Sequence, residues 1–129
     1  MSQRGQAMIE FGVTIVALMF LVVGTAQVAI FLNYRSNLDL ATKEGAFQAS
    51  LVGHQPADGK SAAADLWSKL EPGAAPATIT VTQDGNLIIV TADAYAPALV
   101  PVPVAPFTRM AVHARSVHTI ERFEPGSTA

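Results

Sequence analysis

The chain has 129 residues, a net charge of −2 and a charged fraction of only 14%. This small negative charge excludes the basic surface that a nucleic-acid partner would need, so no nucleic-acid binding is expected. The chain contains no cysteine, which excludes disulfides, thiolate metal sites and a cysteine nucleophile.

An apolar segment dominates the N-terminal third of the chain. From Phe11 to Leu32 there are 22 residues without a charge or a proline. About 20 apolar residues cross the hydrocarbon core of a bilayer, so residues 11–32 are predicted to span a membrane. The short head before the segment carries one basic residue, Arg4, and is too small to fold. These flanks predict a cytoplasmic N-terminus and an exported C-terminal domain.

The helix is expected to continue beyond the membrane. Apolar and small residues recur at intervals of three or four from Tyr34 to Ala49, with charged residues on the other side. This period is typical of an amphipathic helix. We therefore expect one continuous helix from about Ala7 to Val52, within a helical segment 6–53 whose C-terminal half stands outside the membrane.

A second, shorter helix is predicted at the start of the remaining domain, residues 54–129. The composition of Gly53 to Gly59 is typical of a turn. The helix is then expected to begin at Ser61 or Ala62, with Ser61 as its cap, and to end at Leu70 before a Pro-Gly pair.

After this helix the pattern changes to the alternation of β-strands. Thr78 to Thr82 alternates and is rich in β-branched residues, Asp84-Gly85 indicates a hairpin turn, and Leu87 to Tyr95 forms the return strand. A final strand is expected from about Arg109 to Phe123. The predicted fold class is α+β: a long N-terminal transmembrane helix packed against a small C-terminal antiparallel sheet.

An apolar segment rich in proline separates the last two predicted strands. Its prolines lack the N–H that a central strand needs, so an extended connector is expected. The prolines are Pro97, Pro101, Pro103 and Pro106. Such a segment could bind a partner in a polyproline conformation. A connector that protects a sheet edge is the favoured interpretation.

No pattern of residues indicates an enzyme or a cofactor site. The motifs Gly-x-Ser-x-Gly, Walker A and His-Glu-x-x-His are all absent from the sequence. His113 and His118 are five apart on one predicted strand, which places them on opposite faces, and His54 lies in a turn. We therefore expect three surface histidines, no metal site, no cofactor and no catalytic residues.

The polar head before the apolar segment carries a distinctive motif. Gly5 is followed by four residues and then by Glu10-Phe11. This arrangement resembles the processing site of type IV prepilins, in the Gly-x-x-x-x-Glu-Phe/Tyr form of the tight-adherence (Flp) pilus system. The resemblance implies that a prepilin peptidase removes residues 1–5 and leaves Gln6 as the new N-terminus. It further implies that the Glu10 carboxylate attracts the terminal ammonium of a neighbouring subunit and so sets axial register.

Two further segments strengthen the resemblance. Leu40 to Ala46, with Lys43, Gly45 and Ala46, is similar to the Ala-Ala-Arg-x-Gly-Ala segment of TadE-like proteins, and the Tyr95-Ala96-Pro97 region is also similar. The resemblance implies a TadE-like minor pilin (pseudopilin) of a type IVc pilus, used in adhesion or secretion. Its implied location is the bacterial inner (cytoplasmic) membrane. The implied partners are the prepilin peptidase, other pilin subunits along the N-terminal helix, and the pilus assembly platform.

Two other interpretations remain open at the level of sequence. Gly24-Thr25-Ala26 offers small residues that signal peptidase prefers, so the chain could be a secreted binding protein cut near Ala26. Alternatively, the apolar helix could be an uncleaved single-pass anchor that presents the domain as an interaction module. The N-terminal residue of the exported protein would distinguish these possibilities.

Overall fold

The computed structural model describes residues 2–51, 53–100 and 109–120. Two helices precede an antiparallel sheet of three strands in the order β1-β2-β3. The elements are α1 (Gln3–Ser50), α2 (Pro56–Leu70), β1 (Thr78–Asp84), β2 (Leu87–Pro97) and β3 (Arg109–Thr119). The long helix α1 packs against α2, β2 and β3, and α2 packs against β1. The predicted α+β class is confirmed.

The first helix is continuous, as its proline-free sequence predicted. Its 48 residues correspond to about 70 Å at 1.5 Å per residue. It begins at Gln3, earlier than the predicted Ala7, so the head before the apolar segment is helical too. It ends at Ser50, and the predicted end at Val52 lies outside the described residues.

The second helix begins earlier than the sequence analysis predicted. It starts at Pro56, whose fixed φ suits the first position of a helix and whose missing N–H is not needed there. The side chain of Asp58 accepts a hydrogen bond of 2.7 Å from the backbone N–H of Gln55, which caps the helix. The predicted turn over Gly53–Gly59 is therefore wrong from Pro56 onward. Ser61 lies inside the helix and is not its cap.

The sheet follows the predicted alternation closely. In β3, Val112 is buried between exposed neighbours, and its partner in β2 is Ala94. The β1–β2 loop is Gly85-Asn86, one residue later than predicted, and Gly85 has φ 57°. A positive φ at only the first loop residue is the pattern of a type II′ turn. The predicted strand end at Phe123, together with Pro101, Pro103 and Pro106, lies outside the described residues.

The core is formed by the second half of α1, by α2 and by one face of the sheet. Small residues dominate it, which lets the helices and the sheet approach closely. Its buried apolar members are Leu38, Ala41, Ala46, Ala49, Ala63, Trp67, Ile79, Ile88, Val90, Ala92, Ala94, Ala96 and Val112. The first half of α1 contributes nothing to this core.

Candidate functional site

The first half of α1 is an exposed apolar rod. Every residue from Gln6 to Thr25 is exposed, a length of twenty residues that corresponds to about 30 Å, the hydrocarbon thickness of a bilayer. The hydroxyls of Thr14 and Thr25 each donate to the carbonyl four residues earlier at 2.8 Å, so they are tolerated in apolar surroundings. Among the described residues, α1 is the one helix long and apolar enough to cross a membrane.

The Gly5 motif lies at the N-terminal end of this rod, inside the helix. The N–H of Gly5 donates to the carbonyl of Ser2 at 2.9 Å, so the Gly5–Gln6 bond belongs to the first turns of α1. A glycine within a helix destabilises this turn by roughly 0.5–1 kcal/mol relative to alanine. The Gln6 amide lies 3.5 Å from a carboxylate oxygen of Glu10, and the ring of Phe11 is exposed.

The second set of predicted site residues lies far from the first. Thirty-five positions separate Glu10 from Gly45 along the same helix, which is about 50 Å. Lys43 is exposed and forms an ion pair of 2.6 Å with Asp39, the kind of surface pair that contributes little stability. Gly45 and Ala46 are buried. The structure therefore separates the head motif from the Gly-Ala segment.

The Gly-Ala segment is where α1 crosses α2 at close range. A Cβ added at Gly45 would lie 2.8 Å from the Cβ of Ala63 and 2.8 Å from the carbonyl oxygen of Gly59. A Cβ added at Gly59 would lie 2.6 Å from the Cβ of Ala49. Such distances are far inside van der Waals contact, so both crossing positions require glycine. Gly59 was not predicted as a site residue, because the composition of Gly53 to Gly59 is typical of a turn.

A polar cluster joins α1 to the end of α2 just beyond the apolar segment. A carboxylate oxygen of Glu71 accepts hydrogen bonds from the side-chain amides of Asn37 at 2.7 Å and Asn33 at 3.2 Å. The ring of Tyr34 packs edge-on against Trp67 at 5.8 Å. Burial, then the nearby Glu71 charge and a hydrogen bond to it, raise the pKa of Tyr34 above its ordinary value.

A single polar side chain fixes the end of the sheet to the apolar half of α1. The Gln27 amide nitrogen donates to the carbonyl of Pro97 at 3.0 Å, and its oxygen accepts from the N–H of Leu99 at 2.7 Å. Gln27 was not predicted as a site residue from the sequence. Its partners lie 70 and 72 positions away, so no local pattern could have identified them.

The three histidines lie apart. His113 is on the outer face of the sheet, where its ring pairs with the carboxylate of Asp93. His118 lies on the inner face, with its ring 6.1 Å from that of Phe47. His54 precedes α2. The described residues contain no group of three side chains suited to hold a metal ion.

Comparison with known proteins supports the resemblance found in the sequence. Residues 5–46 match the family model described as TadE-like protein. No curated protein and no solved structure matched the chain. The matched segment begins at the motif glycine, includes the whole exposed rod, and ends at the buried Gly-Ala pair. The resemblance is thus confirmed over residues 5–46.

Proposed function

We propose, from the TadE-like character of residues 5–46, that this chain is a minor pilin or pseudopilin of a tight-adherence pilus and not an enzyme. One observation carries the proposal. The twenty residues from Gln6 to Thr25, which start at the residue after Gly5, all remain exposed in the described structure. So long an apolar surface requires lipid or other apolar helices around it.

The precursor would be a single-pass protein of the bacterial inner membrane. Its N-terminus would be cytoplasmic and its domain exported, in line with the basic residue Arg4 in the short head. Glu10 lies 15 positions before Thr25, near the cytoplasmic end of the rod. There its carboxylate can reach the headgroup region while the helix stays inserted. Phe11, exposed beside it, begins the apolar surface.

Cleavage after Gly5 would change the chemistry of this end. Gln6 would gain a terminal ammonium one helical turn before the Glu10 carboxylate. Within a bundle of apolar helices the dielectric constant is low, so an ammonium of one subunit and the Glu10 carboxylate of the next would attract strongly and fix the axial register. The apolar rod would then leave lipid and pack against the rods of other subunits on the assembly platform.

Replacement of Gly5 by alanine tests the processing step. An added Cβ at this position would meet only the Ser2 hydroxyl at 3.8 Å, an ordinary contact, so Gly5→Ala should leave the fold unchanged. In cells with a prepilin peptidase we expect Gly5→Ala to accumulate as precursor and the unmodified chain to begin at Gln6. Gly12→Ala is the matched control, because its Cβ meets nothing within 4 Å and it lies outside the motif.

The same N-terminal sequencing separates the competing functions. A mature chain beginning at Gln27 would identify a secreted binding protein and refute the pilin proposal. An unprocessed chain that keeps Met1 to Gly5 in the presence of the peptidase would identify a permanent anchor. Equal processing of Gly5→Ala and Gly12→Ala would show that Gly5 is not the recognised residue.

A further inference from the structure

The end of the sheet nearest the N-terminus of α1 lies beside the apolar rod. Ala98 and Val100, which follow β2, line a cavity together with Phe20 and Val23 of the helix. Val100 also lines a second cavity farther toward the N-terminus, with Val16. The domain therefore extends along the helix to the level of the predicted membrane span.

The surface presented at this level is apolar. The side chains of Leu99 and Val100 are each 48% exposed, although both are large and hydrophobic. No charged residue occurs in the sequence between Asp93 and Arg109. Leu99 and Val100 lie next to the exposed apolar rod, and a contiguous exposed apolar surface is typical of a contact with lipid or with another protein.

Two backbone groups at this tip bond to a side chain of α1. The Gln27 side chain accepts from the N–H of Leu99 and donates to the carbonyl of Pro97. In water such backbone groups could bond to solvent, whereas in hydrocarbon a backbone group without a partner is strongly unfavourable. Gln27 itself lies inside the 11–32 span and would be equally costly there without these two bonds.

Residues typical of a membrane interface lie immediately above the tip. The chain has only two tyrosines, Tyr34 and Tyr95, and both line one cleft together with Arg109. Tyrosine rings and basic side chains are enriched where the hydrocarbon meets the headgroups. Tyr34 follows Gln27 by seven positions, or about 10 Å along the helix toward the domain.

We propose that Ala98–Val100 forms a membrane foot: this tip of the domain inserts into the lipid bilayer beside α1, below a boundary marked by the two tyrosines and Arg109. The occupant of the apolar surface is the acyl chain region of the bilayer. The membrane foot is continuous with the exposed rod, so the two form one lipid-facing surface. The domain would then contact the bilayer through the membrane foot as well as through the helix.

Cysteine labelling tests the membrane foot, because the chain has no native cysteine. The full chain carrying Leu99→Cys is labelled with the fluorophore NBD and reconstituted at low protein density in vesicles of equimolar phosphatidylcholine and phosphatidylglycerol. Val117→Cys is the matched control: its side chain is 47% exposed, against 48% for Leu99, but lies toward the opposite end of the sheet. Met19→Cys, in the exposed rod, reports the span itself.

Spin-labelled lipid and aqueous iodide are then added as quenchers. We expect NBD at Leu99 and at Met19 to be quenched several-fold more by spin-labelled lipid than NBD at Val117, and iodide to show the reverse order. Quenching at Met19 without quenching at Leu99 would refute the foot while the span stands. If protection of the Leu99 label from iodide depends on the protein-to-lipid ratio, a second subunit covers this surface, and the membrane foot is refuted. Loss of quenching at both sites would refute the span together with the foot. None of these outcomes depends on cleavage at Gly5.

Discussion

Replacing Gly45 with alanine should loosen the crossing between α1 and α2. The new methyl group would lie 2.8 Å from the Cβ of Ala63 and 2.8 Å from the carbonyl oxygen of Gly59. The second contact is with backbone, which no side-chain rotation can move. The helices must therefore separate, and separation weakens the neighbouring alanine contacts in the core.

The size of the effect follows from two opposing terms. Overpacking typically costs about 1–3 kcal/mol, and a clash with backbone places Gly45→Ala near the upper end. Alanine is a better helix former than glycine, and this difference offsets about 1 kcal/mol of the loss. The expected net loss is about 2 kcal/mol, which lowers the melting temperature of a domain of this size by roughly 10 °C.

Fluorescence of Trp67 provides the assay in detergent micelles. It is the single tryptophan of the chain and is 3% exposed, on the face of α2 that packs against Tyr34. Gly12→Ala is the control, since its added Cβ meets nothing within 4 Å. Ala63→Gly in the Gly45→Ala background removes one of the two clashes and should restore part of the loss. A Gly45→Ala chain that melts with the unmodified protein would refute the close crossing.

Two further predictions concern the polar contacts near the apolar half of α1. Gln27→Leu removes the hydrogen-bond partner of the Leu99 N–H and of the Pro97 carbonyl. Each group left without a partner should lower the stability by about 1–3 kcal/mol. Faster amide hydrogen exchange at Leu99 checks this, and unchanged exchange would contradict it. The raised pKa of Tyr34 makes the folding stability depend on pH. The unfolded chain loses its phenol proton first, near the ordinary pKa of 10.0. The folding stability therefore falls from that pH upward, through the higher pKa of the folded state. Phenolate absorbance in a Tyr95→Phe chain should show this late titration, and Glu71→Gln should shift it downward; an unshifted titration would contradict the role of Glu71.

The sequence predicted the elements whose signals are local. The alternation from Thr78 to Thr82 and the glycine turn predicted the hairpin, with the loop misplaced by one residue. The proline-free period predicted a single continuous α1. The start of α2 was missed because Pro56 is a helix breaker in the interior but a favoured residue at the first position. Composition alone does not distinguish these two positions.

The contacts that define the candidate sites were less predictable because they join distant parts of the chain. The Gly-Ala segment was identified by resemblance, but its need for glycine depends on Gly59, which lies on another helix. Gln27 looks like an isolated polar residue until β2 and the residues after it are placed beside it. Such pairs become visible only when the packing of helix and sheet is known.

The continuity of α1 also fixes the angle at which the domain is held. The motif at Gly5 and the crossing at Gly45 lie on one unbroken helix. The number of residues between them therefore sets their distance along the helix axis and the angle between them around that axis. One inserted residue would turn the domain by about 100° and move it by about 1.5 Å. In an assembly of such subunits, the residue count of α1 would therefore determine which face of each domain points outward.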